Sequence, residues 1–190
     1  MSEAKATYLD TFPNWLRSLG EDAEKMASLL EEDGRGEGAR EAVAGGLNYL
    51  FKSLDLIPDG IDDIGFLDDA FVIRVAAEVA AGEDSGDADA DKLRLMASLA
   101  NDCELVRQFL ADPEVNPVVD YDRLLAYVRG LRKGAARGRA VSDILADPAV
   151  RDELVADVRG FARSYEAPSF AREEKNLIKL KAFFDAKLPK

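Results

Sequence analysis

The sequence predicts an all-α protein, a bundle of about seven or eight helices joined by short loops, and three observations predict it. Large apolar residues recur at steps of three and four along most of the chain. No stretch alternates apolar with polar residues as a half-buried strand does. The glycine- and proline-containing interruptions between the periodic runs are short, as they are between antiparallel helices.

The elements follow in order. Leu16, Leu19, Ala23, Met26, Leu29 and Leu30 share one face of a first helix over 13–30, with Gly20 as its weak point. The stretch 31–38 combines charge with Gly34, Gly36 and Gly38 and reads as an exposed loop. Ala39, Ala42, Val43, Gly46, Leu47, Leu50, Phe51 and Leu54 define a second helix, in which Gly45 and Gly46 would admit a close neighbour. Phe71, Val72, Val75, Ala76 and Val79, widened by Ile73 and Ala77, mark a third that ends near Gly82.

Beyond it, the face formed by Leu93, Met96, Ala97, Ala100, Cys103, Val106, Phe109 and Leu110 predicts one unbroken, central helix over 91–110. Asp112-Pro113 and Asp147-Pro148 each set a capping carboxylate before a proline whose missing N–H a helix start does not need, so each is expected to open a helix. Leu124 to Leu131, Val150 to Phe161 and Leu177 to Leu188 supply the remaining helices. The recurring Leu-Ala-Asp-Pro and Val-Arg-Gly strings lie at unequal spacings, which is shared helix-start chemistry and not a solenoid.

Length and composition set the outer limits. The 190 residues, 47% hydrophobic and 33% charged, are enough for a folded core, as one domain or two small packed ones. The expected organisation is an N-terminal region 1–82, an acidic linker 83–90 and a C-terminal helical region 91–190 packed with the first as one globular unit. A net charge of -12 repels nucleic acid and anionic lipid. The absence of histidine removes imidazole bases and His zinc ligands, and the single Cys103, on an apolar helix face, reads as a small core residue. The start carries no basic-then-apolar signal pattern, so a cytoplasmic protein is expected. The most apolar run, 70–81, is interrupted by Arg74 and Glu78 and falls short of the about 20 residues a membrane span needs, so no transmembrane segment is expected.

One segment is unusual. Asp55-Leu56-Ile57-Pro58-Asp59-Gly60-Ile61-Asp62-Asp63-Ile64-Gly65-Phe66-Leu67-Asp68-Asp69 holds six aspartates in fifteen residues. The pattern D-L-I-P-D-x-I-x-x-x-G-x-x-D-D resembles the signature of the YkvA-like family, a domain of unknown function (DUF1232), and with its flanking apolar helices the resemblance spans roughly 39–81. It implies a small helical domain, found alone or joined to other modules and in some members membrane-associated, and it implies no particular activity. Arg74 and Glu78 depart from the membrane-associated members.

Two readings of the motif stand. In the first, Asp55 caps a short helix whose first turn is Leu56-Ile57-Pro58, Gly65 ends that turn in a left-handed conformation, Asp68 caps the third helix with Asp69 near its positive end, and the apolar residues plug the corner. In the second, Asp55, Asp59, Asp68 and Asp69 gather around a magnesium, manganese or calcium ion, or are neutralised by Lys52, Arg40 or Arg74.

Weaker signals have plain explanations. Asp87, Asp89 and Asp91 mimic a calcium loop, but Lys92 and Ser98 stand where its glycine and glutamate belong. The basic run Arg129, Arg132, Lys133, Arg137 and Arg139 is expected to pair with the chain's own carboxylates. Trp15 reads as core or a docking edge, and the last helix closes its own bundle or docks in a partner.

No cofactor is expected, and no catalytic constellation is legible. The functional expectation is a non-enzymatic helical module that binds a protein partner through an exposed apolar patch of several hundred Å². The alternatives are a divalent-metal-binding protein, for which phosphoester hydrolysis is one chemistry open to it, and a peripheral membrane protein.

Overall fold

A helix with apolar residues on every side has to be enclosed on every side, and the molecule is built around one that also buries Asp68, Asp69 and Arg74. A computed structural model describes residues 2–31, 36–61, 63–83 and 90–190. The central helix α3 (Leu67–Glu83) buries Leu67 to Ala77 without a gap, and Val79 and Ala80 after them. Around it pack α1 (Glu3–Ser28), α2 (Glu37–Tyr49), α4 (Ala90–Asn101), α5 (Cys103–Ala111) and α6 (Tyr121–Leu131). The six-residue α7 (Val141–Ala146), α8 (Pro148–Ser164) and α9 (Glu174–Lys187) complete an all-α bundle. Among the described residues it thus has eight helices of nine residues or more and one short one. Asp87, Asp89 and most of the expected acidic linker lie outside the described residues, as do 32–35 of the expected loop over 31–38 and Asp62 of the motif.

The core is a chain of aromatic contacts where α1, α3, α5 and α9 meet. Phe12 packs edge-on against Phe71 and Phe109 at 5.2 and 4.9 Å between centroids, and Phe184 stacks on Phe71 at 5.4 Å. Trp15 is buried in the same cluster, and α9 closes its own bundle through Leu177, Leu180 and Phe184.

Small residues set the close approaches. A Cβ on Gly46 would lie 2.6 Å from the Cβ of Ala76 on α3, and one on Gly45 3.0 Å from the backbone of Leu131 at the end of α6. The glycine pair therefore admits two neighbours, as its position in the sequence suggests.

Several elements differ from expectation, each for a visible reason. Helix α1 starts at Glu3, with Ser2 as its N-cap, and runs through Pro13 and Gly20, because Tyr8, Leu9 and Phe12 extend its buried face towards the N-terminus. Gly20 is no weak point: a Cβ there would meet the backbone of Ala162 at 3.2 Å, so it marks the crossing of α1 and α8. The single helix expected over 91–110 is two, α4 and α5, broken at Asp102, whose carboxylate is held by Arg74. The central role assigned to it belongs to α3.

Asp147 caps α8 as expected, accepting from Ala149 N. Asp112 instead ends α5, its side chain accepting from Glu114 N in a tight turn, and α6 opens later on Asp120. Two strands that the sequence does not suggest, β1 (Ala135–Ala136) and β2 (Arg139–Ala140), pair antiparallel across Arg137 and Gly138. Both turn residues have positive φ, the geometry of a two-residue hairpin.

Candidate functional site

The acidic motif forms the corner between α2 and α3. Helix α2 stops at Tyr49, and 50–61 and 63–66 run as turns and bends. Leu56, Ile57 and Ile64 plug the corner, leaving Pro58, Asp59 and Gly60 at the surface.

The corner is fastened by one carboxylate. Asp68, fully buried in the first turn of α3, accepts through Oδ2 from Tyr49 Oη at 2.6 Å and from Ile57 N at 2.9 Å. Tyr49 Oη in turn accepts from Leu56 N at 2.8 Å. One aspartate and one tyrosine thereby bind two backbone N–H groups of the turn to both flanking helices, a strong arrangement because buried donors left unpaired are costly.

The assigned capping roles are only partly met. Helix α3 begins at Leu67, so the flanking position belongs to Phe66, at φ 65°, and Asp68 serves the corner instead. No short helix follows Asp55, which is half-buried with Oδ1 unpartnered. Gly65 is not left-handed; the positive φ values fall on Asp63 and Phe66. Glycine is needed at 65 because a Cβ would overlap the carbonyl oxygen of Asp59.

Around Asp68 the charge is not balanced. Asp55 Oδ1, Asp68 Oδ1 and Asp69 Oδ2 are buried and unpartnered. Burial is the main force on all of these carboxyls and disfavours their charged form. It pushes Asp55 up to about 7, aided by the Asp68 and Asp59 charges and opposed by Lys52. Asp68 rises to about 6 through burial, against the hydrogen bonds from Tyr49 and Ile57. Asp69 is held well above the carboxylate range by burial and by Asp68, Asp59 and Asp55, and burial also raises Asp59. The four carboxyls are thus one electrostatic cluster, part of which keeps its protons near neutrality.

Of the cations considered as neutralisers, Lys52 faces Asp55, whereas Arg74 is committed elsewhere, to Asp22 and Asp102. Among the described residues no group of three or more His, Cys, Asp or Glu side chains is arranged to hold a metal ion.

The sequence reading missed three participants. Tyr49 is one; a buried phenol needs a partner, and that need is its only sequence signal. The second is the α8–α9 connection, where Tyr165 packs edge-on against Phe66 and Ala171 N donates to Asp63 Oδ1 at 3.3 Å. The third is Leu54. It was expected on the buried face of the second helix, but α2 ends five residues earlier and Leu54 is 82% exposed.

Leu54 borders a groove of about 270 Å³ formed by Lys52, Ser53 and Leu54 on one side and Ala135 to Gly138 on the other. The basic run behind this groove largely pairs with the chain's own acids, as expected: Arg132 with Glu83, and Arg139 and Arg137 with Asp157 at 2.7 and 3.7 Å. Cys103 is buried, and its thiol is pushed up to about 12 mainly by burial, which leaves no thiolate for nucleophilic chemistry. No helix among the described residues is long and apolar enough to cross a membrane.

The fold and the corner define a class, the all-helical proteins in which an aspartate-rich turn joins two closely packed helices. Residues 39–74 match the family described as protein of unknown function (DUF1232), a span somewhat shorter than the 39–81 over which the motif and its flanking helices resemble it. No curated protein and no solved structure matches the chain.

Proposed function

We propose that this chain is a non-enzymatic module that binds another protein through the surface beside the acidic corner. Leu54 carries the reading. Among the described residues the exposed large hydrophobics are Leu54, Val118 and Ile178, and Leu54 is the most exposed. The broad apolar patch expected from sequence is therefore replaced by one apolar side chain at the rim of a groove. The corner behind it is fixed by Tyr49 and Asp68, so Leu54 is presented on a rigid base, which lowers the ordering cost of binding.

The absence of histidine and the protonated, buried state of the one thiol support a non-enzymatic role. A free buried cysteine also suits a reducing compartment, and we place the chain in the cytoplasm on that ground. We read the regions 1–82 and 91–190 as one working unit, supported by the packing of α1 on α8 and of α3 on α4.

A photo-crosslinking residue at position 54, in cells, tests the reading against the same residue at exposed Glu153 on α8. A recurrent protein adduct from position 54 is expected. Adducts from 153 alone, or none from either, would remove the support.

The unpartnered oxygens of Asp55, Asp68 and Asp69 favour a second reading, in which these carboxylates and Asp59 rotate together around a divalent cation. Magnesium, manganese or calcium suits an all-oxygen set. After chelation, a cation at a hundredfold its dissociation constant would add about 2.7 kcal/mol, roughly 5–11 °C in Tm for a chain of this size. The rise should vanish in Asp59→Asn; an unchanged Tm with all three cations would eliminate this reading.

A further inference from the structure

The groove beside Leu54 turns a basic, open surface outwards from an acidic molecule. The chain carries a net charge of -12, yet the groove walls contain Lys52 and Arg137 and no carboxylate. Lys52 Nζ is held at 3.1 Å from Tyr127 Oη and lies over the Tyr127 ring. Arg137 stacks its guanidinium over Phe51 at 4.7 Å and meets Asp157 only at 3.7 Å, with its side chain 60% exposed. Both cations are thus positioned by aromatic rings, and although Lys52 also lies in the field of Asp55 and Arg137 in that of Asp157, each keeps donors for a ligand.

The hairpin gives an independent sign that the arginine is there for a purpose other than folding. Arg137 and Gly138, at φ 48° and 78°, are the two turn residues between β1 and β2. A turn with positive φ at both positions favours Asn-Gly, and a long β-substituted side chain at the first is strained. Strained residues that persist tend to mark binding sites. This one sets a guanidinium at the mouth of the groove, opposite Leu54.

We propose that the groove bounded by Lys52, Leu54 and Arg137 docks an acidic peptide segment of a partner protein, whose carboxylates meet Lys52 and Arg137 while an apolar side chain packs on Leu54. This rests on the protein-binding reading and gives it a partner chemistry. Charge complementarity selects this occupant: the groove presents two cations and no carboxylate on a chain whose net charge of -12 disfavours acidic segments in general. A lipid surface fits less well, because a concave site with a single apolar residue buries little in a bilayer and the remaining charge opposes anionic headgroups.

The test is selection of a random dodecapeptide display library on the full-length protein, followed by titration of synthesised winners. Winners rich in Asp and Glu around one apolar residue are expected. Their affinity should fall about tenfold or more in Leu54→Ser and in Arg137→Asn, and also as NaCl is raised from 50 to 500 mM. Arg137→Asn suits the turn, so its Tm should stay level or rise, which separates lost binding from lost folding.

Acidic winners unaffected by both substitutions would place docking elsewhere, overturning the groove and leaving the protein-binding reading standing. An absence of winners would remove both. Flotation with vesicles containing 30% phosphatidylserine, lost in Arg137→Asn, would overturn the peptide assignment in favour of a membrane.

Discussion

Two buried charge clusters lie on the same central helix, and they solve the same problem in opposite ways. At Arg74 a guanidinium only 2% exposed donates to Asp102 Oδ2 at 2.9 Å, to Asp22 Oδ2 at 3.2 Å and to Ala70 O at 3.0 Å, with the Trp15 ring 4.3 Å away. About a turn and a half earlier, Asp68 and Asp69 are as deeply buried, with Asp55 and Asp59 near them and, among the described residues, no arginine bonded to either. The first cluster is neutralised by a cation and its hydrogen bonds. The second is neutralised in part by protons. A helix interior can therefore hold charge by pairing it or by removing it, and the two means respond differently to mutation and to pH.

The largest difference should come from removing the cation. Arg74→Ala leaves Asp22 and Asp102 facing an emptied space, and breaking a buried pair in this way costs about 3–5 kcal/mol, or ~6–20 °C in Tm for a chain this long. Thermal unfolding of the purified variant measures it. A loss of only a degree or two would mean that water replaces the guanidinium and that the contrast between the clusters is shallow.

At the acidic corner the expected loss is smaller, because one hydrogen-bonding atom is at stake. Tyr49→Phe leaves Leu56 N without an acceptor and removes one donor from Asp68. Leaving such groups unsatisfied costs about 1–3 kcal/mol. Hydrogen exchange should show Leu56 and Ile57 amides opening faster than those of α2, which would separate a loosened corner from a general loss of stability.

Acidity should act on the corner. Burial holds the Asp55 carboxyl at about 7 and the Asp68 carboxyl at about 6, both above the ordinary 3.8 of an exposed aspartate. Between these limits the folded chain binds more protons than the unfolded one, so unfolding free energy falls as pH rises. Tm should therefore be several degrees higher at pH 5 than at pH 7.5, at ~2–4 °C per kcal/mol. A Tm that climbs steadily from pH 5 to 7.5 would show that the carboxylates are stabilised charged, by a bound cation or otherwise.

The comparison also shows what the sequence carries and what it does not. The all-α class and the course of most helices are legible, because a period of three to four in residues such as Leu16, Leu19 and Met26 records which face is buried. The density of aspartates from 55 to 69 marks the corner equally well. Partners distant along the chain leave no local trace. Arg74 reads as a candidate neutraliser of the nearby aspartates, yet its carboxylates are Asp22 and Asp102, brought by α1 and by the break before α5. Asp102 also stands at the break in the helix expected over 91–110. Leu54 fits the periodicity of α2, but Tyr49 and Asp68 fold the chain into the corner first, so the periodic position carries Leu54 out to solvent.

The smallest expected effect is the most discriminating. Both donors to Asp68, Tyr49 Oη and Ile57 N, reach the same oxygen, Oδ2, while Oδ1 is unpartnered. An asparagine with its oxygen in the Oδ2 position keeps both bonds, and it places an amide N–H where an acceptor now sits idle among other carboxyls. Asp68→Asn should therefore raise Tm at pH 8 by ~2–4 °C, which is about 1 kcal/mol for this size of chain. The gain should disappear at pH 5, where Asp68 in the native chain already carries its proton. Asp68→Ala, which deletes both acceptors, should destabilise at either pH, so the pair of variants isolates the charge from the hydrogen bonds. A drop in Tm for Asp68→Asn at pH 8 would mean that the negative charge is itself stabilising, through the donors Tyr49 and Ile57 or through a bound cation, and a chelator added to the native chain would tell the two apart.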